Sequence, residues 1–308
     1  MIKFLFSALL LAPPHSSFAD VSMRDGSYIQ TWTDFQMPSG SKNHFELKRT
    51  YNSRSLSHGI FGFGWCSPLE DSIRWQGRQI FLNDCSGTQP VQLQNEGQNW
   101  IRKLENGAFQ KFNSQGRLVA MKEEGKSLEL IFIYQGPRLH QLKFGTSLAF
   151  FFYNLDDASL QKIEVKQKFK ILSVQLYRFQ NRNLISVSSN PSHQITYQYD
   201  LFHNLSAWSF QKKYMKINYD NAKDQVKDIE SSDGCHEIYQ FAHSSATTLE
   251  SNFERTCPQL PALKRHFIFR SIAKSGRQLF LKEILFRENN KNEKTIRIGE
   301  INDPRKLP

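Results

Sequence analysis

Segments centred on tyrosine or phenylalanine recur about every 20 residues through the middle of the chain, and a fixed period of that length marks a repeat architecture. Ile195-Thr196-Tyr197-Gln198-Tyr199-Asp200, followed by Asn204-Leu205, is echoed by Met215-Lys216-Ile217-Asn218-Tyr219-Asp220, followed by Val226. Phe112 with Leu118, Tyr134 with Leu139, Tyr153 with Leu160, and Tyr177 or Phe179 with Leu184 are weaker copies, and Tyr239 and Phe241 extend the series downstream.

The spacing defines a physical unit. Ile195, Tyr197 and Tyr199 alternate with polar residues and so share one face of a strand. Asp200 can accept a backbone bond from two residues on and open a turn, Asn204 tolerates the left-handed conformation, and Leu205 starts the returning strand. One hairpin cannot bury its aromatic face, so neighbouring units must pair edge to edge. The expected fold is mainly β: antiparallel hairpin repeats in a continuous twisted sheet or partial shell, preceded by an aromatic-rich β module.

That module is read from two runs. In the first, Phe45, Leu47 and Arg49 share one face of an extended segment that continues through Thr50 and Tyr51 to a turn at Asn52-Ser53. In the second, Gly59, Gly62 and Gly64 allow tight turns that let Phe61, Phe63 and Trp65 pack inward. The order Gly-x-x-Gly-x-Gly reverses the dinucleotide fingerprint, and Pro68 follows where a phosphate-binding helix would have to start.

Arg49-Thr50-Tyr51-Asn52-Ser53-Arg54-Ser55 followed by Gly59-Ile60-Phe61-Gly62-Phe63-Gly64-Trp65 resembles the module that precedes the repeats in the Rhs/YD-repeat family of bacterial proteins. Gly26-Ser27-Tyr28, Thr33-Asp34-Phe35 and Asp84-Cys85-Ser86-Gly87 fit its other elements, and the Tyr-Asp units resemble its repeat, Tyr-x-Tyr-Asp-x-x-Gly-x-Leu, with His203 at the glycine position. The resemblance implies a structural role, because large members use such repeats as a shell that can enclose a toxic domain. This chain has few repeats. Asn302-Asp303-Pro304-Arg305-Lys306-Leu307 has Lys306 where the family's Asp-Pro-x-Gly-Leu has glycine, so self-cleavage is not implied.

The chain opens with Lys3, an apolar run from Phe4 to Ala12, and small residues Ser17 and Ala19 around Phe18, the pattern of a secretory signal peptide cleaved before Asp20. No apolar stretch reaches the roughly 20 residues needed to span a bilayer. Expected divisions are a signal peptide at 1–19, an Rhs-type β module at 20–105, repeats at 106–260, and closing strands with a basic tail at 261–308. Pro258 and Pro261 mark the last junction, and Gln278 to Phe286 and Thr295 to Ile301 are read as its strands.

Four cysteines in an exported chain point to disulfides. Cys66 with Cys85 and Cys235 with Cys257 are the local pairings among three possible connectivities. A zinc site on Cys235, His236, His243 and Cys257 is the sharper alternative, but it lacks paired short spacings. The net charge is +11, and Lys264, Arg265, Arg270, Lys274, Arg277 and Lys282 form either a polyanion-binding face or solvated strand edges.

Catalytic signatures are sparse. Asp233-Gly234-Cys235-His236-Glu237 holds acid, thiol and imidazole together, yet adjacent strand residues face opposite ways. Asp156 and Asp157 fall at a repeat turn. Sequence therefore favours an exported, non-enzymatic scaffold without cofactor or metal. Its expected partner is a protein or glycan at the cell envelope or outside the cell, rather than nucleic acid, with exposed aromatics as contacts. A shortened toxin-delivery relative with a separately encoded effector is the alternative, and a secreted hydrolase the third reading.

Overall fold

The computed structural model describes residues 20–39, 43–274, 278–289 and 294–297. The expected signal peptide, positions 290–292 of the polar turn expected at Asn289-Asn290-Lys291-Asn292 between the two closing strands, Arg277 and the 302–307 motif lie outside the described residues. Among the described residues the chain is β throughout, with two short 3-10 turns at Pro68–Glu70 and Glu105–Gly107.

A 19-stranded sheet dominates, and its strands neighbour one another in chain order from Gln94–Glu96 to Lys294–Arg297, each pair antiparallel. It begins inside the stretch assigned to the first module and runs on past Pro258 and Pro261 without a break. Such a meander needs only local hairpins, and the sequence supplies a turn for each.

A single rule generates the repeats. Phe112, Tyr134, Tyr153, Phe179, Tyr199 and Tyr219 pair directly with Leu118, Leu139, Leu160, Leu184, Leu205 and Val226, and a register shift immediately precedes each aromatic. The extra residue on the partner strand is Val119, His140, Gln161, Ile185, Ser206 or Lys227. A bulge of this kind resets the alternation of faces, so aromatic and Leu can both turn inward. It also disrupts the ladder beside the Leu, and the tyrosine of the next unit meets the leucine carbonyl. Tyr134 donates to Leu118 O at 2.9 Å, Tyr153 to Leu139 O at 2.8 Å, Tyr199 to Leu184 O at 2.9 Å and Tyr219 to Leu205 O at 3.2 Å. That is the physical reason for tyrosine at this place.

Two expectations need correction. The rhythm does not continue through Tyr239 and Phe241, which pair with Phe253 and Ser251 with no bulge before them. In the Asp200 turn, Asp200 Oδ1 does accept from Phe202 N at 2.8 Å, but the left-handed residue is His203, with φ +67°, and not Asn204. His203 thus adopts a conformation that glycine would take without strain.

The first module lies against the sheet. Its long hairpin, Tyr28–Ser39 with Asn43–Asn52, places Tyr28, Trp32, Met37, Phe45, Leu47 and Tyr51 in the same core as Phe144, Phe151, Tyr177, Tyr197 and Ile217. Gly26 O accepts from Val226 N, and Pro38 O accepts from the Ser147 hydroxyl and from Gln167 Nε2. The chain from Gly26 to Pro38 can reach about 40 Å, and the seven inter-strand gaps from Ser147–Tyr153 to Gln225–Ser231 add up to about 34 Å. The hairpin therefore runs across the sheet strands and fastens eight of them together.

A second attachment is made at the first repeat turn. Ile73 N donates to Gly116 O at 2.8 Å, and a Cβ on Gly116 would lie 2.0 Å from Ile73 O, with φ already +80°. Gly116→Ala should destabilise the protein by about 3 kcal/mol or more, from left-handed strain plus backbone displacement. Gly136→Ala, at φ +60° with nothing within 4 Å of the new Cβ, should cost only about 1 kcal/mol. Urea midpoints of the two variants distinguish the contributions.

Candidate functional site

The motif residues Arg49, Tyr51, Trp65 and Tyr199 gather where the cross-hairpin meets the repeats. Asp34 and Arg49 are cross-hairpin neighbours with side chains 1% and 0% exposed, and Arg49 Nε donates to Asp34 Oδ1 at 2.9 Å. Tyr177 and Tyr197 reach in from the repeat sheet. Tyr177 OH donates to Asp34 Oδ2 at 2.8 Å, and Arg49 Nη2 donates to Tyr197 OH at 2.6 Å. The guanidinium also lies 4.3 Å from the Trp65 ring centroid. Burial pushes the Asp34 carboxyl up, opposed by Arg49 and the Tyr177 hydroxyl. A charge removed from water is tolerable here because its partners are already placed.

The neighbouring motif residues have equally defined tasks. Tyr51 OH accepts from Leu205 N at 2.8 Å and donates to His203 O, and Trp65 Nε1 donates to Tyr199 OH at 2.9 Å. Ser53 Oγ accepts from Tyr28 N, Asn52 Oδ1 from Arg54 N, and Arg54 Nη1 donates to Asp25 O. Phe61 packs on Tyr177 with ring centroids 5.7 Å apart. Phe63 N, next to Gly62, donates to Arg182 O, and Gly64 O accepts from Asn52 N. Gly59 stands against Glu70. Asp200 Oδ1 accepts from Phe202 N and Asn204 N, and Asp220 Oδ1 from Ala222 N, so both acids shape turns.

Cys66 is bonded to Cys85 and Cys235 to Cys257. The second disulfide occupies both sulfurs of the zinc alternative and the thiol of the Cys-His reading. Asp233 Oδ1 accepts from Cys235 N and from the Ser231 hydroxyl, which hold its carboxyl below the ordinary aspartate range. Glu237 accepts from Tyr239 OH at 2.6 Å, and His236 lies 3.8 Å from Asp228. Each reactive group thus has a separate local partner. Asn154 and Asp157 cap the 154–159 turn, with Asp156 N donating to Asn154 Oδ1.

In the basic stretch Lys264 pairs with Glu254 at 3.0 Å and Arg265 with Glu288 at 2.9 Å, and the side chains of Lys274, Arg277 and Lys282 lie outside the described residues. Aromatics open to solvent are Phe169, Phe202, Tyr214, Trp75 and Phe152, whereas the repeat aromatics Tyr177, Tyr197 and Phe210 are buried.

Sequence reasoning missed Trp32, Trp208, Glu70 and Asp71. Trp32 and Trp208 meet edge to face at 5.1 Å, and Trp208 Nε1 donates to Tyr28 OH at 3.1 Å. Glu70-Asp71, beside Pro68, is the visible sequence signal for the other two, but nothing in a one-dimensional reading buries it.

A family described as a domain of unknown function, DUF6531, matches residues 19–91, the span of the first module up to its three-stranded sheet. No curated protein matches the chain. Among solved structures, the TcdB2-TccC3-TEV crystal structure shares 9% identity at a TM-score of 0.29, covering 85% of this chain and 21% of that one. A Tc holotoxin pore of Photorhabdus luminescens with a mutated TccC3 shares 9% identity at a TM-score of 0.30, covering 85% of this chain and 20% of that one. The chain thus spans about a fifth of the length of the solved chains it resembles. Among the described residues no helix is long and apolar enough to cross a membrane.

Proposed function

We propose that the protein is an exported, non-enzymatic β-repeat scaffold that presents its sheet for binding a protein or glycan at the cell envelope or outside the cell. One observation carries this reading: Arg49, Tyr51, Trp65 and Tyr199 are spent on the seam that holds the module to the repeats. Function is then left to the solvent-facing surface, where Phe169 and Phe202 are exposed at hairpin tips. Glycan arrays and envelope pull-downs with the chain from Asp20 onward test it. Expected is a ligand whose capture falls at least tenfold in Phe169→Ser/Phe202→Ser; absence of any ligand counts against it.

The second reading, a shortened relative of toxin-delivery shells that works with a separately encoded effector, is supported by the Rhs-type motif at Arg49 to Trp65. Co-purification with the product of an adjacent reading frame favours it. Activity of the purified chain on polysaccharide, nucleic acid or peptidoglycan that depends on Asp233, His236 or Glu237 overturns both.

A further inference from the structure

Pro68–Glu70 forms a short 3-10 turn capped by Asp71, and it carries two carboxyls into the gap between the glycine loop and the first repeats. Glu70 Oε1 accepts from Ile60 N at 2.6 Å, while its Oε2 is buried without a partner. Asp71 Oδ2 accepts from Gln110 Nε2 at 2.5 Å, which ties the same turn to the strand Phe109–Asn113. Gly59 is pressed onto the carboxylate so closely that a Cβ there would lie 2.0 Å from Glu70 Oε1.

The groups around the pair do not neutralise it. The titratable groups that act on Glu70 are Asp71, Tyr134 and Tyr153, with Arg117 and Arg138 on the tyrosine rings at 5.6 and 5.5 Å from their centroids. Facing Asp71 are Asp84 and Arg102, whose Nη1 donates to Gln110. Neither carboxyl has an ion-pair partner among the described residues. Glu70 is withdrawn from water with one oxygen unpartnered and Asp71 has only the more distant Arg102 to offset its burial, so the packed state favours the protonated carboxyls.

We propose that Glu70 and Asp71 form a proton-operated latch: protonated, the pair locks the Gly59–Trp65 loop onto the repeat sheet, and ionised, it lets the loop go. Burial pushes the Glu70 carboxyl up to about 7, opposed by the Ile60 N–H and reinforced by Asp71. Burial likewise pushes Asp71 up to about 7, opposed by Gln110 and reinforced by Asp84. The ordinary values are 4.5 and 3.8, so the closed form binds more protons than the open form across that interval. Closure is therefore at full strength below pH about 4 and weakens as pH rises to about 7, beyond which the loss is complete.

Hydrogen exchange read by mass spectrometry on the disulfide-intact chain from Asp20 onward tests the latch. After correction for intrinsic exchange, protection of peptides covering 57–66 should fall roughly thirtyfold between pH 5.5 and 8.5 from Glu70 alone, and further with Asp71. Glu70→Gln, whose amide oxygen still accepts from Ile60 N, should remove its share, about thirtyfold, of the fall and leave only the part due to Asp71. Asp71→Asn gives the same readout if the first variant folds poorly, and peptides covering 225–245 should show no comparable change. An equal fall in either variant, or no fall in the native chain, overturns the proposal.

Discussion

Arg49→Met should cost about 3–5 kcal/mol of unfolding free energy, because it leaves the Asp34 carboxyl buried without its cation. The Asp34 side chain has no route to water, being 1% exposed, and of the hydrogen-bond partners of its carboxylate only Tyr177 would remain beside it. Its escape is to take up a proton. Burial already pushes that carboxyl up, and losing Arg49 pushes it further, so the variant should be less impaired at pH 5 than at pH 8. The converse change is instructive: Asp34→Leu combined with Arg49→Met removes both charges and should recover most of the loss, since buried pairs stabilise little relative to well-packed apolar groups. Tyr177 and Tyr197 would then each miss one partner, which sets a residual cost of about 1–3 kcal/mol. Urea titrations of the three variants at both pH values decide the matter, and a single-variant cost below about 1 kcal/mol would show that the seam is hydrated or relaxes freely.

The repeat body was legible because its rule is local. Phe112 with Leu118, Tyr134 with Leu139, Tyr153 with Leu160 and Tyr199 with Leu205 face one another across single hairpins, so a spacing along the chain is also a register in space. Phe179 and Tyr177 could not be ranked from sequence. The structure divides them, with Phe179 opposite Leu184 and Tyr177 turned to Asp34, 143 positions away. The downstream reading failed for a related reason: Tyr239 and Phe241 carry the right residue type but lack the bulge that defines the unit.

The seam was legible only as a resemblance. Arg49, Tyr51 and Trp65 stood out as a pattern, yet their partners Tyr197, Leu205 and Tyr199 lie 134 to 154 positions away, and no periodicity connects them. Glu70 and Asp71 were invisible as a pair because their burial depends on three distant elements: the glycine loop, the strand of Gln110 and the tyrosines of the first repeats. His203 shows where local reasoning stopped short. The turn required a residue with φ above zero, and the sequence offered both His203 and Asn204, but Asn204 was already committed through its backbone N–H and its amide to Asp200.

Removing single tyrosine oxygens should produce losses ranked by how many buried partners each one serves. Tyr153→Phe deletes one bond, to Leu139 O, and should cost about 1 kcal/mol, the net worth of one intramolecular hydrogen bond. Tyr199→Phe deletes two, because its hydroxyl donates to Leu184 O and accepts from Trp65 Nε1, both at 2.9 Å. A carbonyl and an indole N–H left without partners each forfeit about 1–2 kcal/mol, so this variant should lose about 2–4 kcal/mol although the ring and its packing are unchanged. The difference between the two measures what the first module adds to a repeat that the neighbouring repeat alone would satisfy. Phe179 makes the same point in reverse: it holds the aromatic place without an oxygen and faces Leu184 in register, so the bulge and ring suffice for the hairpin and the hydroxyl serves cohesion between units. If both Tyr→Phe variants matched the native chain within about 0.5 kcal/mol, the preference for tyrosine would need an explanation other than the carbonyls exposed by the bulges.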